Sequence, residues 1–434
     1  MIYLFVFFAA IAFFLFLKGV PTFRFDQFST LSWLFSTFLG STGLIVHKTP
    51  LAFETIILVM ICHGVMLIGF SFAQRHTVVK PSSKIVDQLA LNLISLLPVI
   101  FILFAMLRSA IEGNIPILSA SSNIEISRDM HWEEGKSGLD RLIQIFVYTS
   151  LPFLVVYPVL KKTSYLTVIY AMSLMFAIDN ALLEGGRALI IFIVISVVTV
   201  LFTVRKIRIG RIAIYSTLGL LMIYILGSQF YLARNTNFAS NADRFIRYNC
   251  NGGTMAEPVK EMPVSIQSLT LSSCYFSTPL SNFDRMRRDW NKTYNGAYNG
   301  GIVFTEGFVE AREDIANYFA SRRLAPNGWS TSVRDIWLDV GYAVPLAFLI
   351  IGFVAAKIGK LGPKNSPGKL ARYGLLGTVA FMMPYQSPFI LRYVIYPVVF
   401  TYLIEIFVRL LVPFLRSKTP KRVKVQRRPQ RNFR

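Results

Sequence analysis

Acidic residues, histidines and cysteines are all scarce in this chain, and each scarcity closes off a class of function. Asp and Glu number 23 against 45 Lys and Arg in 434 residues, a formal charge of +22. The four histidines (His47, His63, His76 and His131) show no paired-ligand spacing, and the acidic residues do not gather as a DxD, so no metal centre is expected. No phosphate-binding loop of the GxxxxGK[ST] kind occurs, which argues against ATP as an energy source and leaves no cofactor expected. Charged residues of both signs make up only 16% of the chain, against 54% hydrophobic.

What is abundant is apolar sequence in runs of bilayer-spanning length, which points to an all-α polytopic membrane protein. Runs of suitable length lie near 1–17, 29–46, 51–73, 87–107, 142–160, 164–183, 188–204, 212–231, 335–356, 372–385 and 390–413, about eleven transmembrane helices. The first run lacks a basic segment before it and is followed by Lys18, so it reads as a mature helix rather than a signal peptide.

The basic residues fix an orientation, because Lys and Arg in short loops stay cytoplasmic. Arg75, Lys80 and Lys84, then Lys161 and Lys162, then Arg205, Lys206, Arg208 and Arg211, all fall on one side of the expected topology. Lys357, Lys360, Lys364 and Lys369 join them, as does the tail "RSKTPKRVKVQRRPQRNFR". The N-terminus is then outside and the C-terminus inside. Because the positive charge follows the topology, nucleic acid is not the expected partner; the tail, 414–434, is expected to be disordered beside anionic lipid.

The organisation that follows is an N-terminal bundle (1–231, with an outer loop at 108–141), a large outer loop (232–334), C-terminal spans (335–413) and the tail. The large loop is too long to be a plain connector and is expected to be partly helical and to carry the function. Cys250 and Cys274 both fall in it, and an oxidising exterior favours a disulfide between them. In "LSNFDRMRRDWNKTY", Phe283, Met286 and Trp290 form an apolar stripe, while Arg285, Arg288 and Lys292 line a basic ridge on another face. In "TEGFVEAREDIANYFASRR", Phe308, Ala311, Ile315 and Phe319 form the stripe of a second helix, with acidic residues first and Arg322 and Arg323 last, as the helix dipole prefers. Between them "YNGAYNGG" repeats Tyr-Asn-Gly. Tyr294 and Tyr298 can offer aromatic faces and amide partners to sugar rings, or the stretch can be a glycine-rich turn.

Ionisable groups close to the apolar runs are costly there and so are candidates for function. Arg187, with Glu184 beside it, stands between two apolar runs with almost no loop, and Asp179 lies about two turns earlier. Arg392 in "YQSPFILRYVIYP" sits just inside the last span, where a snorkelling side chain is an equal reading. Arg334, Asp335 and Asp339 open the ninth span in "NGWSTSVRDIWLDVGYAVP", with Trp329 just before them and the two aspartates on one helix face. His63, deep in a span, reads as structural, and Glu54 near a span end is ambiguous.

Three stretches resemble the Wzy-type oligosaccharide repeat unit polymerases: "GGRALIIFIVISVVTVLFTVRK", "EGNIPILSA", and the polar motif leading into "VRDIWLDVGYAVPLAFLIIGF". In layout the resemblance runs over roughly residues 85–413. It implies a GT-C-like helical bundle in the bacterial inner membrane and a periplasmic-face glycosyltransferase. Such an enzyme moves a growing glycan from undecaprenyl pyrophosphate to an incoming lipid-linked repeat unit, with a Wzz-like co-polymerase as a chain-length partner. The family's pyrophosphate-holding arginines carry over to Arg187 first, then Arg285 and Arg334, because guanidinium forks bind phosphate oxygens and stabilise a leaving group. Asp339 and Glu306 are the carboxylates for activating the acceptor hydroxyl. Arg288, Arg392, Tyr294, Tyr298 and Trp329 complete the expected substrate-binding set. The competing expectations are an O-antigen ligase, which uses the same donor, and a lipid-linked oligosaccharide flippase. Against the flippase, no internal repeat is visible and the polar groups do not lie at mid-span.

Overall fold

Apolar runs make helices throughout this chain, and buried serines, threonines and glycines decide how closely those helices approach. The computed structural model describes residues 1–17, 24–47, 50–77, 84–112, 138–159, 164–183, 188–205, 242, 246–247, 250, 252–299, 305–322, 331–361, 365–387 and 392–417. The first half holds α1 (Ile2–Leu17), α2 (Phe25–Ser41), α3 (Phe53–His76), α4 (Lys84–Glu112), α5 (Gly138–Val156), α6 (Ser164–Leu183) and α7 (Ala188–Arg205). Then follow α8 (Glu257–Lys260), α9 (Val264–Asp289), α10 (Thr305–Ser321), α11 (Ser332–Val340), α12 (Val344–Gly359), α13 (Pro367–Met382) and α14 (Arg392–Ser417). Two short strands, β1 (Ile45–Val46) and β2 (Thr254–Met255), pair antiparallel, with Ile45 opposite Met255.

Among the described residues, five helical segments are long and apolar enough to cross a membrane: Phe53–His76, Val86–Ile111, Leu142–Val159, Ser332–Gly359 and Val394–Pro413. Ile2–Leu15 and Leu189–Val204 are shorter apolar helices. The chain is thus a mostly helical membrane protein; of the about eleven spans the sequence leads one to expect, five are seen as segments of full spanning length among the described residues. The run at 212–231 lies outside the described residues.

Three expected spans differ from their observed helices for legible reasons. The run at 29–46 is a helix only from Phe25 to Ser41, and it buries Asp26, Ser29, Thr30, Ser32, Ser36 and Thr37. Such a helix is held by protein on its polar face. The run at 335–356 is one apolar segment broken in two: Gly341 takes φ +56°, ψ −135°, a conformation glycine tolerates, and separates α11 from α12. The run at 372–385 becomes α13, which starts five residues earlier, at Pro367, under an N-cap from Ser366. At 16 residues α13 is about 24 Å long, short for a lone span, and all of its residues but Lys369 are buried.

Small residues set the closest packing. A Cβ on Gly69 would fall on the Leu349 carbonyl oxygen and one on Gly352 on that of Met66, so α3 and α12 touch backbone to backbone, running in the same direction. Gly374 and Gly377 let α13 close on α7, which runs the opposite way: Gly374 faces the Ser196 carbonyl and the Val200 side chain, and Gly377 the Thr199 side chain. There the hydroxyls of Ser196 and Thr378 are hydrogen-bonded at 2.7 Å. His63 lies inside this packing as expected of a structural residue: its Nε2 is 2.9 Å from Thr30 Oγ1 and its ring meets Phe8 edge-on.

Candidate functional site: a cationic cap on one end of the bundle

The start of α3, the ends of α2, α9 and α13, and all of α11 meet at one end of the bundle. The described residues of the 232–334 segment build on that end. Residue 250 is bonded to Cys274 in a disulfide, as the sequence reading expected, and β2 follows it to pair with β1. The long α9 enters the apolar core through Leu280, Phe283 and Met286, with Phe283 edge-on to Trp337 of α11 at 5.9 Å. Asp284, on another face of α9, is 2% exposed. It accepts hydrogen bonds from the Ala52 backbone N–H (3.2 Å) and the Thr55 hydroxyl (2.6 Å), which locks α9 onto the start of α3.

The basic ridge expected on this helix is redistributed. Arg288 is tied to Asp284 at 2.6 Å, and Arg287 donates to Thr55 and pairs with the exposed Glu54 at 3.3 Å. The helix stops at Asp289, so Lys292 leaves the ridge and instead pairs with Glu310 and Asp314 of α10. Those contacts raise the Lys292 pKa and lower that of Asp314. Arg285 differs from its neighbours. It is half-buried and has no ion pair among the described residues, and burial lowers its pKa. Its guanidinium lies by Gly252, which has φ +86°. Burial, reinforced by the Arg285 charge, pushes His47 down to about 4, so that imidazole is neutral near pH 7.

The Tyr-Asn-Gly tandem forms a turn. Asn295 (φ +50°) and Gly296 (φ +92°) carry the left-handed backbone, and the Ala297 N–H donates to the Tyr294 carbonyl at 2.9 Å. Both tyrosine rings face inward: the Tyr294 hydroxyl donates to Asp314 at 3.0 Å, and Tyr298 is 8% exposed. Of the two readings open in the sequence, the turn is the one observed, and the ring faces are packed against protein.

Asp339 holds this turn. Its Oδ1 accepts from the Tyr298 N–H (2.9 Å), and its Oδ2 accepts from the Asn299 N–H (2.8 Å) and side-chain amide (2.6 Å). The same Asn299 amide donates to the Asp335 carbonyl at 2.6 Å, so the shared helix face of Asp335 and Asp339 serves one loop.

Arg334 lies beside this anchor. It is 4% exposed, and both Nε (3.3 Å) and Nη2 (3.0 Å) donate to Asp335 Oδ1. Nη2 is also 3.5 Å from the Tyr298 hydroxyl. Asp335 is held in turn by the Ser387 N–H at 2.8 Å. Nη1 of Arg334 is buried and has no partner among the described residues. Burial, then the Asp335 charge, pushes the Tyr298 phenol up to about 12, so it stays a proton donor. A guanidinium oriented on one side, with a buried nitrogen left unpartnered on the other, suits an oxyanion.

The structure therefore brings Arg334, Tyr298 and Asp339 together, with Arg285 and Arg288 on other faces of α9. Arg187, Glu184 and Trp329 lie outside the described residues, as do residues 113–120 of the "EGNIPILSA" stretch. Glu306 is placed in the first turn of α10 and Arg392 at the start of α14. The residues that orient the site, Asp284, Asn299 and Ser387, carry no sequence signal, because their role depends on contacts across 40 to 232 positions. Asp335, by contrast, is legible in the sequence, standing next to Arg334 at a helix start.

No family model, curated protein or solved structure matches this chain.

Proposed function

We propose that the protein polymerises lipid-linked oligosaccharide repeat units, acting as a glycosyltransferase on an undecaprenyl-pyrophosphate donor at the periplasmic face of the bacterial inner membrane. In this reading the chain has eleven spans, with the N-terminus outside and the C-terminus inside. The observation that carries it is the buried Arg334 guanidinium, whose Nη1 has no partner among the described residues, in a cap that also holds Arg285, without an ion pair among the described residues. In the reaction the bond between the donor's anomeric carbon and the pyrophosphate oxygen breaks. The acceptor hydroxyl oxygen bonds to that carbon, and the hydroxyl proton leaves. Charge grows on the departing pyrophosphate, where guanidinium groups stabilise it. Arg334, Arg285 and Arg187 take that role. Asp339, with both oxygens already accepting hydrogen bonds, positions the 294–299 turn, and Glu306 is the carboxylate that takes the acceptor proton.

The test is the surface-glycan length distribution at matched membrane abundance. Arg334→Lys keeps a charge for Asp335 but loses the fork, and elongation should fall by a factor on the order of a hundred. Arg187→Lys should likewise recover only part of the wild-type ladder. Normal ladders from both variants would remove the arginines from the mechanism. A deletion strain separates the classes: one repeat on lipid core means polymerase, lipid-linked polymer with bare core means ligase, and repeats trapped inside mean flippase.

A further inference from the structure

The opposite end of the bundle holds a second feature, a cleft of about 200 Å³ enclosed by the start of α2, the ends of α3, α7 and α12, and α13. Its lining is graded. Arg24, Gln74 and Lys360, at the helix ends, are partly exposed, whereas Phe25, Phe70 and Leu376, deeper in, are buried. The polar rim is therefore at the level where the helices stop, and the apolar floor runs into the bundle.

The rim carries a net positive charge. Arg24 forms a fork with Asp26 (3.0 and 2.6 Å) and its guanidinium lies 5.4 Å from the centre of the Phe70 ring. Lys360 donates to the Gln74 backbone carbonyl, which uses one of its three N–H groups. Among the described residues, Asp26 is the carboxylate tied to the rim, and Arg24 neutralises it, so the Lys360 charge is in excess. The void is far larger than one water needs, and its aromatic and aliphatic floor offers water few partners. In a membrane-spanning bundle, a basic rim over an apolar slot between helices matches one chemistry: a phosphate headgroup above a hydrocarbon chain.

We propose that this cleft binds an anionic phospholipid, its phosphate at Lys360 and Arg24 and one acyl chain along Phe25, Phe70 and Leu376. The site is independent of the polymerase reading, since it lies at the other end of the bundle and shares no residue with the cap. Lipid bound there spans α2, α3, α7, α12 and α13 and fills a gap that would otherwise leave their ends unsupported.

The experiment is native mass spectrometry of the full chain in detergent, counting lipid adducts after titration with phosphatidylglycerol or phosphatidylcholine. Wild type should hold one phosphatidylglycerol with clear preference over phosphatidylcholine. Lys360→Gln keeps a donor for the Gln74 carbonyl and should weaken retention about fivefold, the effect of one headgroup-level cation. Thr203→Trp, at the partly exposed edge of the cleft, leaves both cations in place and should abolish the adduct by filling the slot. Arg24 is left intact because its loss would strand the buried Asp26. Equal retention of the two lipids, or an unchanged adduct in either variant, overturns the proposal. So does complete displacement by millimolar inorganic phosphate, which would mark a free-anion site. If either variant fails to accumulate, the comparison of lipids on wild type still decides.

Discussion

Replacing Asp339 by Asn separates a turn anchor from a catalytic base. The carboxylate accepts three hydrogen bonds from residues 298 and 299 at 2.6 to 2.9 Å. An asparagine side chain offers one oxygen and one NH₂ in the same space. If its oxygen faces Asn299, the NH₂ confronts the Tyr298 N–H, donor against donor, in a buried place. One charge-assisted bond is lost, worth about 1.5–3 kcal/mol, and a buried N–H is left unpaired at about 1–3 kcal/mol. The sum, about 2.5 kcal/mol at the low end of both ranges, falls on the 294–299 turn rather than on the whole fold. Amide hydrogen exchange at Tyr298 and Asn299 should then speed up on the order of a hundredfold, with exchange in α3 and α12 unchanged. Activity should drop in proportion, because the Tyr298 hydroxyl beside Arg334 moves with the turn. Unchanged exchange at these two amides would refute the anchor role. Unchanged exchange together with lost elongation would make Asp339 a participant in the chemistry.

Three further outcomes are expected. Gly352→Leu places atoms where the Met66 carbonyl lies, forcing α3 and α12 apart at a cost of about 3 kcal/mol or more, read as lost thermal stability in detergent; wild-type stability would contradict the backbone contact. Replacing Cys250 and Cys274 together by Ser opens a link across 24 positions and should cost about 3 kcal/mol of cap stability, seen as faster proteolysis of the 250–299 segment; non-reducing mass mapping should find the two joined in the wild type. His47 has a folded pKa near 4 against an ordinary 6.5, so the unfolded cap binds more protons between those values. Stability of the cap should therefore be full above about pH 6.5 and fall as the pH drops toward 4, and His47→Gln should flatten that dependence.

How much of this was legible beforehand depends on the range of the interactions. The helices of α3, α4, α5 and α14 are written in apolar composition and stand where the runs predict them. The interruption at Gly341 is written in one glycine, but a glycine inside an apolar run also packs helices, as Gly352 does, and only the backbone conformation tells the two apart. The polar α2 reads poorly as a span because its serines and threonines find partners from distant helices, such as the Ser32 hydroxyl donating to the Phe381 carbonyl at 2.6 Å. At the cap, the arginines announced themselves by type and position. Their allotment did not: Arg288, Arg287 and Lys292 are matched to carboxylates, while Arg334 keeps a free nitrogen and Arg285 is left without an ion pair among the described residues. That outcome depends on where α9 ends and on which residues α3 and α10 present to it.

The burial of α13 on every side has a consequence for how the chain is made. Its neighbours α2, α5 and α7 leave the ribosome roughly 160 to 340 residues earlier. Until residue 382 has been synthesised, Ser196 has no Thr378 to bond and Ser32 has no Phe381 carbonyl. The early helices must wait in the membrane as a loose ring with a polar seam, and the last quarter of the chain closes it. A nascent chain stalled before Pro367 should accordingly be a substrate for membrane proteases even though most of its apolar helices are already in place, and release past Met382 should convert it to a resistant form in a single step.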